Sequence, residues 1–175
     1  MTVRPIREFG DPVLRETCRP VTRFDDGLAR LVTDLRDICQ LPGRAGLAAP
    51  QIGVDLRVFC YNVDGAEGYL INPELALSEG SQQGPEGCLS IPGLYLPVTR
   101  AAHAVATGVD LAGQPVRVEG RGELARCLQH ELDHLDGHLY LDRLSPADRR
   151  EALSFIRRQP GPAGQAGPAR TPGRG

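Results

Sequence analysis

The sequence predicts an α+β fold, in which a central group of strands is flanked by helices toward both ends of the chain. Apolar residues recur at helical spacing within residues 25–41 and 122–135, whereas strand-like segments lie together between residues 56 and 120. Elements grouped in this way favour α+β over alternating βαβ units. The length of 175 residues, with 41% hydrophobic and 24% charged residues, is typical of one globular domain.

The N-terminal part of the chain is predicted to contain two helices. Asp11 as N-cap and Pro12 at the first helical position predict a short helix that reaches about Cys18. A longer helix is predicted over residues 25–41, and Pro42 and Gly43 end it. Its apolar positions recur at helical spacing: Leu28, Leu31, Leu35 and Ile38. The following residues 43–53 (GRAGLAAPQIG) are small and apolar, and are typical of neither a helix nor a polar loop.

The middle of the chain is predicted to form strands. They cover residues 56–62, 69–75, 103–110 and 115–120, and the last two form an antiparallel pair joined by a glycine-containing turn. A loop rich in Gly, Ser and Gln precedes residues 86–93 (EGCLSIPG).

The C-terminal part is predicted to contain two helices and a tail. The first helix covers residues 122–135, and the second begins at its N-cap Ser145 and reaches about Arg158. Residues 159–175 are rich in Pro and Gly and have little to bury, so they are predicted to be a disordered tail.

Composition excludes several classes of protein. The net charge of −2 argues against a nucleic-acid footprint that covers the whole chain. No apolar run approaches the roughly 20 residues of a membrane helix, and the N-terminus lacks the apolar core of a secretory signal. The five cysteines are odd in number and include no C-x-x-C pair, which argues against a disulfide framework and a cysteine-only zinc site. We therefore expect a cytoplasmic protein.

Residues 130–134 (HELDH) are the strongest chemical motif. His130 and His134 are four residues apart, so on a helix both imidazoles can converge on one metal ion, with Glu131 beside them to transfer a proton. Glu131 is expected to be half-buried at a cleft, with a raised pKa. The remaining polar arc of the helix is formed by Arg126, Gln129 and Asp133. The alternative is a charged surface helix that carries two histidines.

A catalytic site of this type needs a third protein ligand, and three kinds of site would supply one. A metzincin protease would have a third histidine at the position of Tyr140. A thermolysin-like protease would use a glutamate from a later helix, for which Glu151 is the candidate. Cys88 is the third possibility, because a thiolate is a strong soft ligand, although a cysteine in a strand is more often a small buried hydrophobe.

Three segments in this order resemble the peptide deformylase family. They are residues 45–51 (AGLAAPQ), 86–90 (EGCLS) and 129–134 (QHELDH). The likeness extends from residues 9–14 (FGDPVL) to about the last helix. It implies one catalytic domain over residues 1–158, in which antiparallel sheets pack around a central metal-binding helix, with N-terminal helices and a C-terminal helix.

The resemblance implies a metal-dependent hydrolase that removes the N-formyl group from the formyl-methionine of newly synthesised polypeptides and releases formate. The implied metal ligands are Cys88, His130 and His134. Glu131 would act as general base and acid, and the developing oxyanion would be held by Gln51 and the backbone N–H of Leu89. Gly46 and Gly87 would offer backbone groups to a substrate bound as an extended strand. The metal implied is Fe²⁺, with Zn²⁺, Ni²⁺ and Co²⁺ as alternatives.

Three positions depart from the family's pattern and bear on substrate preference. Arg44 replaces a glycine that usually precedes the glycine corresponding to Gly46, and Tyr95 and Arg126 also differ from residues often seen near the peptide site. We nevertheless expect an apolar pocket for the methionine side chain.

The sequence leaves two other functions and one further partner open. The first rival is a zinc endopeptidase, and the second is a deformylase-like binding protein without enzymatic activity. A basic face on the last helix predicts contact with ribosomal RNA, against the alternative of a solvated helix; its residues are Arg149, Arg150, Arg157 and Arg158. We expect a monomer with no membrane partner.

Overall fold

The structure, a computed structural model, describes residues 4–77 and 80–159. Within these residues the helices are α1 (Asp26–Cys39), α2 (Gly122–Leu135) and α3 (Pro146–Arg158). The strands are β1 (Gly46–Ala48), β2 (Val58–Val63), β3 (Ala66–Leu77), β4 (Ser81–Cys88), β5 (Ile91–Ala101), β6 (His103–Val109) and β7 (Pro115–Arg121). Short 3₁₀-helices cover Pro12–Arg15, Ala49–Ile52 and Tyr140–Arg143.

The strands form two antiparallel sheets, which confirms the predicted α+β class. The larger sheet has the order β1-β2-β3-β6-β7, and β4 and β5 pair as a separate hairpin. Helix α2 lies between them, because it contacts β1, β2, β6 and β7 of the larger sheet and β5 of the hairpin. No helix of the described ranges is long and apolar enough to cross a membrane.

The N-terminal helices differ in how well the sequence predicts them. Helix α1 begins where expected, since the Asp25 carboxylate accepts hydrogen bonds from the N–H groups of Gly27 and Leu28 at 3.0 and 3.2 Å. The earlier helix is capped by Asp11 as predicted, but it is one 3₁₀ turn and does not reach Cys18. The backbone N–H of Cys18 instead donates to the Leu135 carbonyl at 2.8 Å, which holds the chain extended against the end of α2.

The hairpin of β4 and β5 was not predicted. Residues 81–85 were expected to be a loop because they contain Gly and Gln, and the proline at position 85 also disfavours a strand. The register shifts between Glu86 and Cys88, and the two-residue turn of Leu89 and Ser90 then leads into β5 at Ile91. The first strand of the hairpin therefore ends at Cys88, beside α2.

Helix α2 is buried on every side from Ala125 to Leu135. Leu128 and Leu135 pack against apolar residues of the large sheet such as Phe59. The polar arc of Arg126, Gln129 and Asp133 is also buried, because β5 covers it and these side chains form hydrogen bonds with residues of the hairpin. The Gln129 amide, for example, accepts from the Ala101 N–H and donates to the Ala101 carbonyl, both at 3.0 Å.

Helix α3 closes the described part of the chain and confirms its predicted bounds. The Ser145 hydroxyl accepts a hydrogen bond from the Asp148 N–H at 3.2 Å, as expected of an N-cap. Ala152 is the buried residue of this helix, which is otherwise exposed or half-buried. The predicted tail lies outside the described residues, apart from Gln159.

Candidate metal centre

The three expected ligands converge between the hairpin and α2. The ligand atoms of Cys88, His130 and His134 all lie within 4.8 Å of one another. His134 Nε2 is 3.2 Å from His130 Nε2 and 3.3 Å from Cys88 Sγ. With bond lengths of about 2.1 Å to nitrogen and 2.3 Å to sulfur, the ligands of a tetrahedral ion are roughly 3.4–3.6 Å apart, and the two separations from His134 are close to these values.

The chemistry of the donors also fits a cation. Burial, followed by the neighbouring His130, holds the pKa of His134 well below its usual range, which keeps this ring neutral and able to bind a metal. Burial alone would lower the pKa of His130, but hydrogen bonds to Cys88 and Glu86 outweigh it and raise the pKa. A metal at this ring would therefore compete with a proton.

Glu86 fixes the orientation of His130, a role that the sequence analysis did not assign. Its carboxylate oxygen Oε1 lies 2.7 Å from His130 Nδ1, so Nε2 of the same ring faces the other donors. Glu86 also accepts from Arg100 Nε at 3.1 Å and Nη2 at 2.5 Å, and from Arg126 Nη1 at 2.9 Å. These partners outweigh burial and hold the pKa of Glu86 well below its usual range, so the carboxylate stays ionised.

A chain of ion pairs continues from the buried Glu86 to the exposed Arg143 on the far side of α2. Arg100 Nη1 donates to Asp133 at 2.6 Å, and Asp133 also accepts from Arg143 Nη2 at 2.5 Å. These ion pairs connect Arg100 of β5, Asp133 of α2 and Arg143, which ends the 3₁₀-helix Tyr140–Arg143. No periodicity or motif in the sequence indicates this network; buried charges between separate elements become visible only in three dimensions.

Glu131 faces the same cleft and is buried more deeply than expected. It is 3% exposed rather than half-buried, and Oε2 has no hydrogen-bond partner within the described ranges. Burial raises the pKa of Glu131 to about 8, in the direction that was predicted. Gly46 makes room for this side chain, because a Cβ at that position would lie 2.7 Å from Glu131 Cδ. The carboxyl group therefore requires glycine on the facing strand.

Gln51 and Leu89 also line the cleft. The Gln51 carbonyl Oε1 accepts from the Ala48 N–H at 2.9 Å, and Nε2 is then directed toward Ser90 Oγ at 3.3 Å and Cys88 Sγ at 3.5 Å. Leu89 occupies the turn of the hairpin and is half-buried. The amide nitrogen of Gln51 is thus held beside the metal ligands.

The cleft has a volume of about 360 Å³, and seven of the eight predicted site residues line it. The eighth, His134, lies behind the others with 1% exposure. Gly87 is covered by Tyr95, since a Cβ at Gly87 would lie 2.6 Å from Tyr95 Cδ1, and Tyr95 itself is 72% exposed at the rim. Glu123 and Arg126 contribute charged groups to the lining of the cleft, and the apolar pocket expected for the methionine side chain stays a prediction.

Residues 3–150 match the model of a protein family described as polypeptide deformylase. The chain belongs to the polypeptide deformylase family. Among similar proteins, the peptide deformylase of Acidothermus cellulolyticus is 58% identical over 90% of this chain and 87% of that protein. The peptide deformylase of a Parafrankia species is 50% identical over the full length of both.

Solved structures of deformylases agree with the fold of this family member. The peptide deformylase of Legionella pneumophila superposes with a TM-score of 0.83 at 38% identity, over 91% of this chain and 100% of that one. The enzyme of Synechococcus elongatus, solved in complex with actinonin, gives a TM-score of 0.81 at 35% identity, over 90% and 88% of the two chains.

The loop departs from the deformylase pattern at Arg44, and the adjacent Gly43 adopts the backbone conformation that a glycine is needed for. Gly43 adopts the left-handed conformation with φ 79°, so Arg44 does not need it. The Arg44 guanidinium donates to the Ile38 carbonyl at 3.2 Å, near the C-terminus of α1, where the helix dipole favours a cation. Arg44 thus ties the cleft wall to α1.

Proposed function

We propose that this deformylase removes the N-formyl group from the formyl-methionine of newly synthesised polypeptides with a metal ion held by Cys88, His130 and His134. The observation on which the proposal rests is the convergence of these three donors within 4.8 Å, in a cleft that Gln51 and Glu131 also line. Membership of the family supplies the reaction, in which a C–N bond is hydrolysed and formate is released.

The metal we propose is Fe²⁺, on the basis of the family resemblance. One thiolate and two imidazoles also suit Zn²⁺, Ni²⁺ and Co²⁺, so the donor set alone does not select among them. When bound, such an ion supplies a positive charge that acidifies water and polarises a carbonyl group.

Glu131 is the residue we assign to proton transfer. It is adjacent in sequence to His130 and lines the cleft, and its raised pKa of about 8 suits a group that must both accept and donate a proton near neutral pH. In the proposed reaction its carboxylate takes a proton from the attacking water. The same carboxyl group then delivers a proton to the nitrogen that leaves as the amine of methionine.

Gln51 and Leu89 are assigned to the developing oxyanion. Gln51 Nε2 is already directed toward the metal ligands because its carbonyl oxygen is fixed by the Ala48 N–H. The backbone N–H of Leu89 would be the second donor, at the turn that follows Cys88. Removal of one donor of this kind typically lowers the rate by about 10²–10³.

Gly46 and Gly87 are assigned to binding the peptide as an extended strand. Gly46 belongs to β1, the edge strand of the larger sheet, and Gly87 belongs to β4, so both strands have a side without a sheet neighbour within the described residues. Both glycines line the cleft. An extended peptide between these edges would find backbone partners on either side.

The rival ligands considered for an endopeptidase do not join the cluster. Tyr140 is buried, and its hydroxyl donates to the Leu94 carbonyl at 3.0 Å, while Glu151 is exposed on α3. The structure therefore favours the Cys-His-His set over the metzincin and thermolysin-like alternatives.

The proposal is tested by elemental analysis of anaerobically purified protein together with formate release from a formyl-Met peptide. One bound divalent ion per chain and steady formate release are expected. Glu131→Gln should keep the metal and lose about 10²–10⁴ in turnover. Bound metal without formate release from the wild type would refute the enzymatic role, and an active Glu131→Gln variant would refute the role of Glu131.

We further propose a cytoplasmic monomer whose residues 1–158 form one catalytic domain that works at the ribosome. Exposed arginines of α3 support the ribosome contact, although Arg149 is already paired with Asp142 at 3.0 Å. Arg150→Glu with Arg157→Glu should reduce co-sedimentation with ribosomes, whereas Arg117→Glu on β7 should not. Equal sedimentation of all three proteins would exclude α3 as the contact.

A further inference from the structure

Arg44 places a cation without a carboxylate partner among the described residues in the lining of the cleft. The residue is half-buried, and its Nη1 donates to the Ile38 carbonyl at 3.2 Å. Within the described residues this is its one polar contact, so Nε and Nη2 of the same guanidinium have no partner there. Neither nitrogen is sealed from solvent, in contrast to the buried atoms without partners elsewhere in the site. One edge of the guanidinium is therefore free to bind a ligand.

The acidic groups that line the cleft have partners or roles elsewhere. Glu86 is paired with Arg126 at 2.9 Å, and both are buried. Glu123, in the first turn of α2, lies 3.7 Å from Nε of Arg126, and its side chain is 65% exposed. Glu131 lies beside the metal ligands on α2. Arg44 therefore gives its part of the cleft a positive charge that no carboxylate of the described residues pairs with.

The open edge of β1 brings Arg44 into line with a bound peptide. The Ala45 carbonyl accepts from the Asn62 N–H at 2.7 Å, so the pairing of β1 with β2 extends to Ala45 and the backbone groups of Gly46 point to the open edge. Arg44 precedes Gly46 by two residues, and residues two apart in an extended chain face the same side. Both residues line the cleft. They are separated along the chain by about 7 Å, the length of two extended residues.

We propose that Arg44 is a specificity-determining residue for the third side chain of the substrate, and that the enzyme prefers formylated peptides with aspartate or glutamate at that position. This inference rests on the proposed function. Because β1 runs toward Gln51, a peptide whose formyl group lies beside Gln51 leaves the site antiparallel to β1. With its methionine opposite Gly46, the third residue lies opposite Arg44, and opposite residues of an antiparallel pair share a face.

A carboxylate suits the free edge of the Arg44 guanidinium. Nε and Nη2 together present two parallel N–H donors, and such a fork binds both oxygens of a carboxylate. Glutamine has nearly the same shape as glutamate but offers one acceptor oxygen and no charge, and lysine brings a like charge. Because Arg44 is half-buried rather than enclosed, the gain is modest, and pairs of this kind contribute up to about fivefold in affinity.

The first experiment measures kcat/KM of the metal-loaded wild type on three formyl-Met-Ala-Xaa peptides in which Xaa is glutamate, glutamine or lysine. Their C-termini are amidated, because a terminal carboxylate would offer Arg44 the same partner in all three. We expect glutamate to exceed glutamine by about three- to fivefold and lysine by more. In 1 M salt, where charges are screened beyond about 3 Å, the ratio of glutamate to glutamine should fall toward one. Equal rates for the three peptides would overturn the inference and leave the proposed function intact, whereas no formate from any of them would count against the proposed function itself.

The second experiment measures the same three rates in variants of Arg44. Arg44→Gln should lose the preference, Arg44→Lys should still favour glutamate, and Arg44→Glu should favour lysine. Arg150→Gln is the control, because Arg150 is exposed on α3 and does not line the cleft, and it should leave the wild-type ratios unchanged. Ratios within one variant are insensitive to losses of metal or folded protein, which lower all three rates equally. An unchanged preference for glutamate in Arg44→Gln would contradict the role of Arg44. If that variant does not fold, the wild-type ratios and their dependence on salt decide.

Discussion

Replacing Glu86 by glutamine removes one negative charge from the centre of the buried network while keeping the shape of the side chain. The carboxylate accepts hydrogen bonds from Arg100 and Arg126 and contacts the ring of His130, and all of these groups are buried. A neutral amide would leave two guanidinium groups without their counter-charge. Glutamine has only one acceptor oxygen, so its NH₂ group would face one of the N–H donors that now bind the second carboxylate oxygen.

The expected loss is large because the charges are buried. The side chains of Glu86 and Arg100 are 4% and 3% exposed, and removal of one partner of such a pair typically costs about 3–5 kcal/mol of unfolding free energy. For a chain of this size each kcal/mol lowers the melting temperature by about 2–4 °C, so a decrease of about 6–20 °C is expected. The loss of the His130 contact should also weaken metal binding by about 10–100-fold.

Thermal unfolding of the metal-loaded protein measures the first effect, and competition with a metal-binding dye measures the second. Glu67→Gln is the matched control, because Glu67 pairs with Arg36 at 3.5 Å and both side chains are about half exposed. That pair should contribute about 0–1 kcal/mol. If Glu86→Gln melted within the range of the control and kept its metal affinity, the network would not have the role in stability and positioning that we assign to it.

Three other predictions test the walls of the site. Gly46→Ala should keep the metal but lower kcat by about 100-fold, measured as formate release, because the added methyl group would displace the Glu131 carboxyl. Iodoacetamide should label Cys88 first after chelator treatment, as followed by peptide mass mapping, because the other four cysteines are buried. Burial raises the pKa of Cys18 and Cys127, and a hydrogen bond with Cys39, followed by burial, raises the pKa of Cys60. Tyr140→Phe should cost about 1–3 kcal/mol in chemical denaturation, because the buried carbonyl of Leu94 loses its donor.

The sequence predicted correctly those features that depend only on residues close together in the chain. The spacing of His130 and His134 defines one face of a helix whatever the rest of the chain does, and the N-caps Asp25 and Ser145 act on their own helices. Cys88 is different, because its place beside the histidines depends on a hairpin that the sequence did not predict. It was identified only through the resemblance of its flanking residues to a known family.

The unpredicted hairpin also buries the polar side of α2. A helix with one apolar and one polar side usually faces water with the latter, and the sequence alone offers no reason to expect otherwise. Here β5 covers that side, and its Arg100 meets the Asp133 carboxylate, which would be costly to bury alone. The same hairpin supplies Cys88 and Glu86, so one element both closes the polar side of the helix and completes the candidate metal site. A substitution that separates the hairpin from α2 should therefore affect stability and metal binding together, and this coupling is what the Glu86→Gln experiment measures.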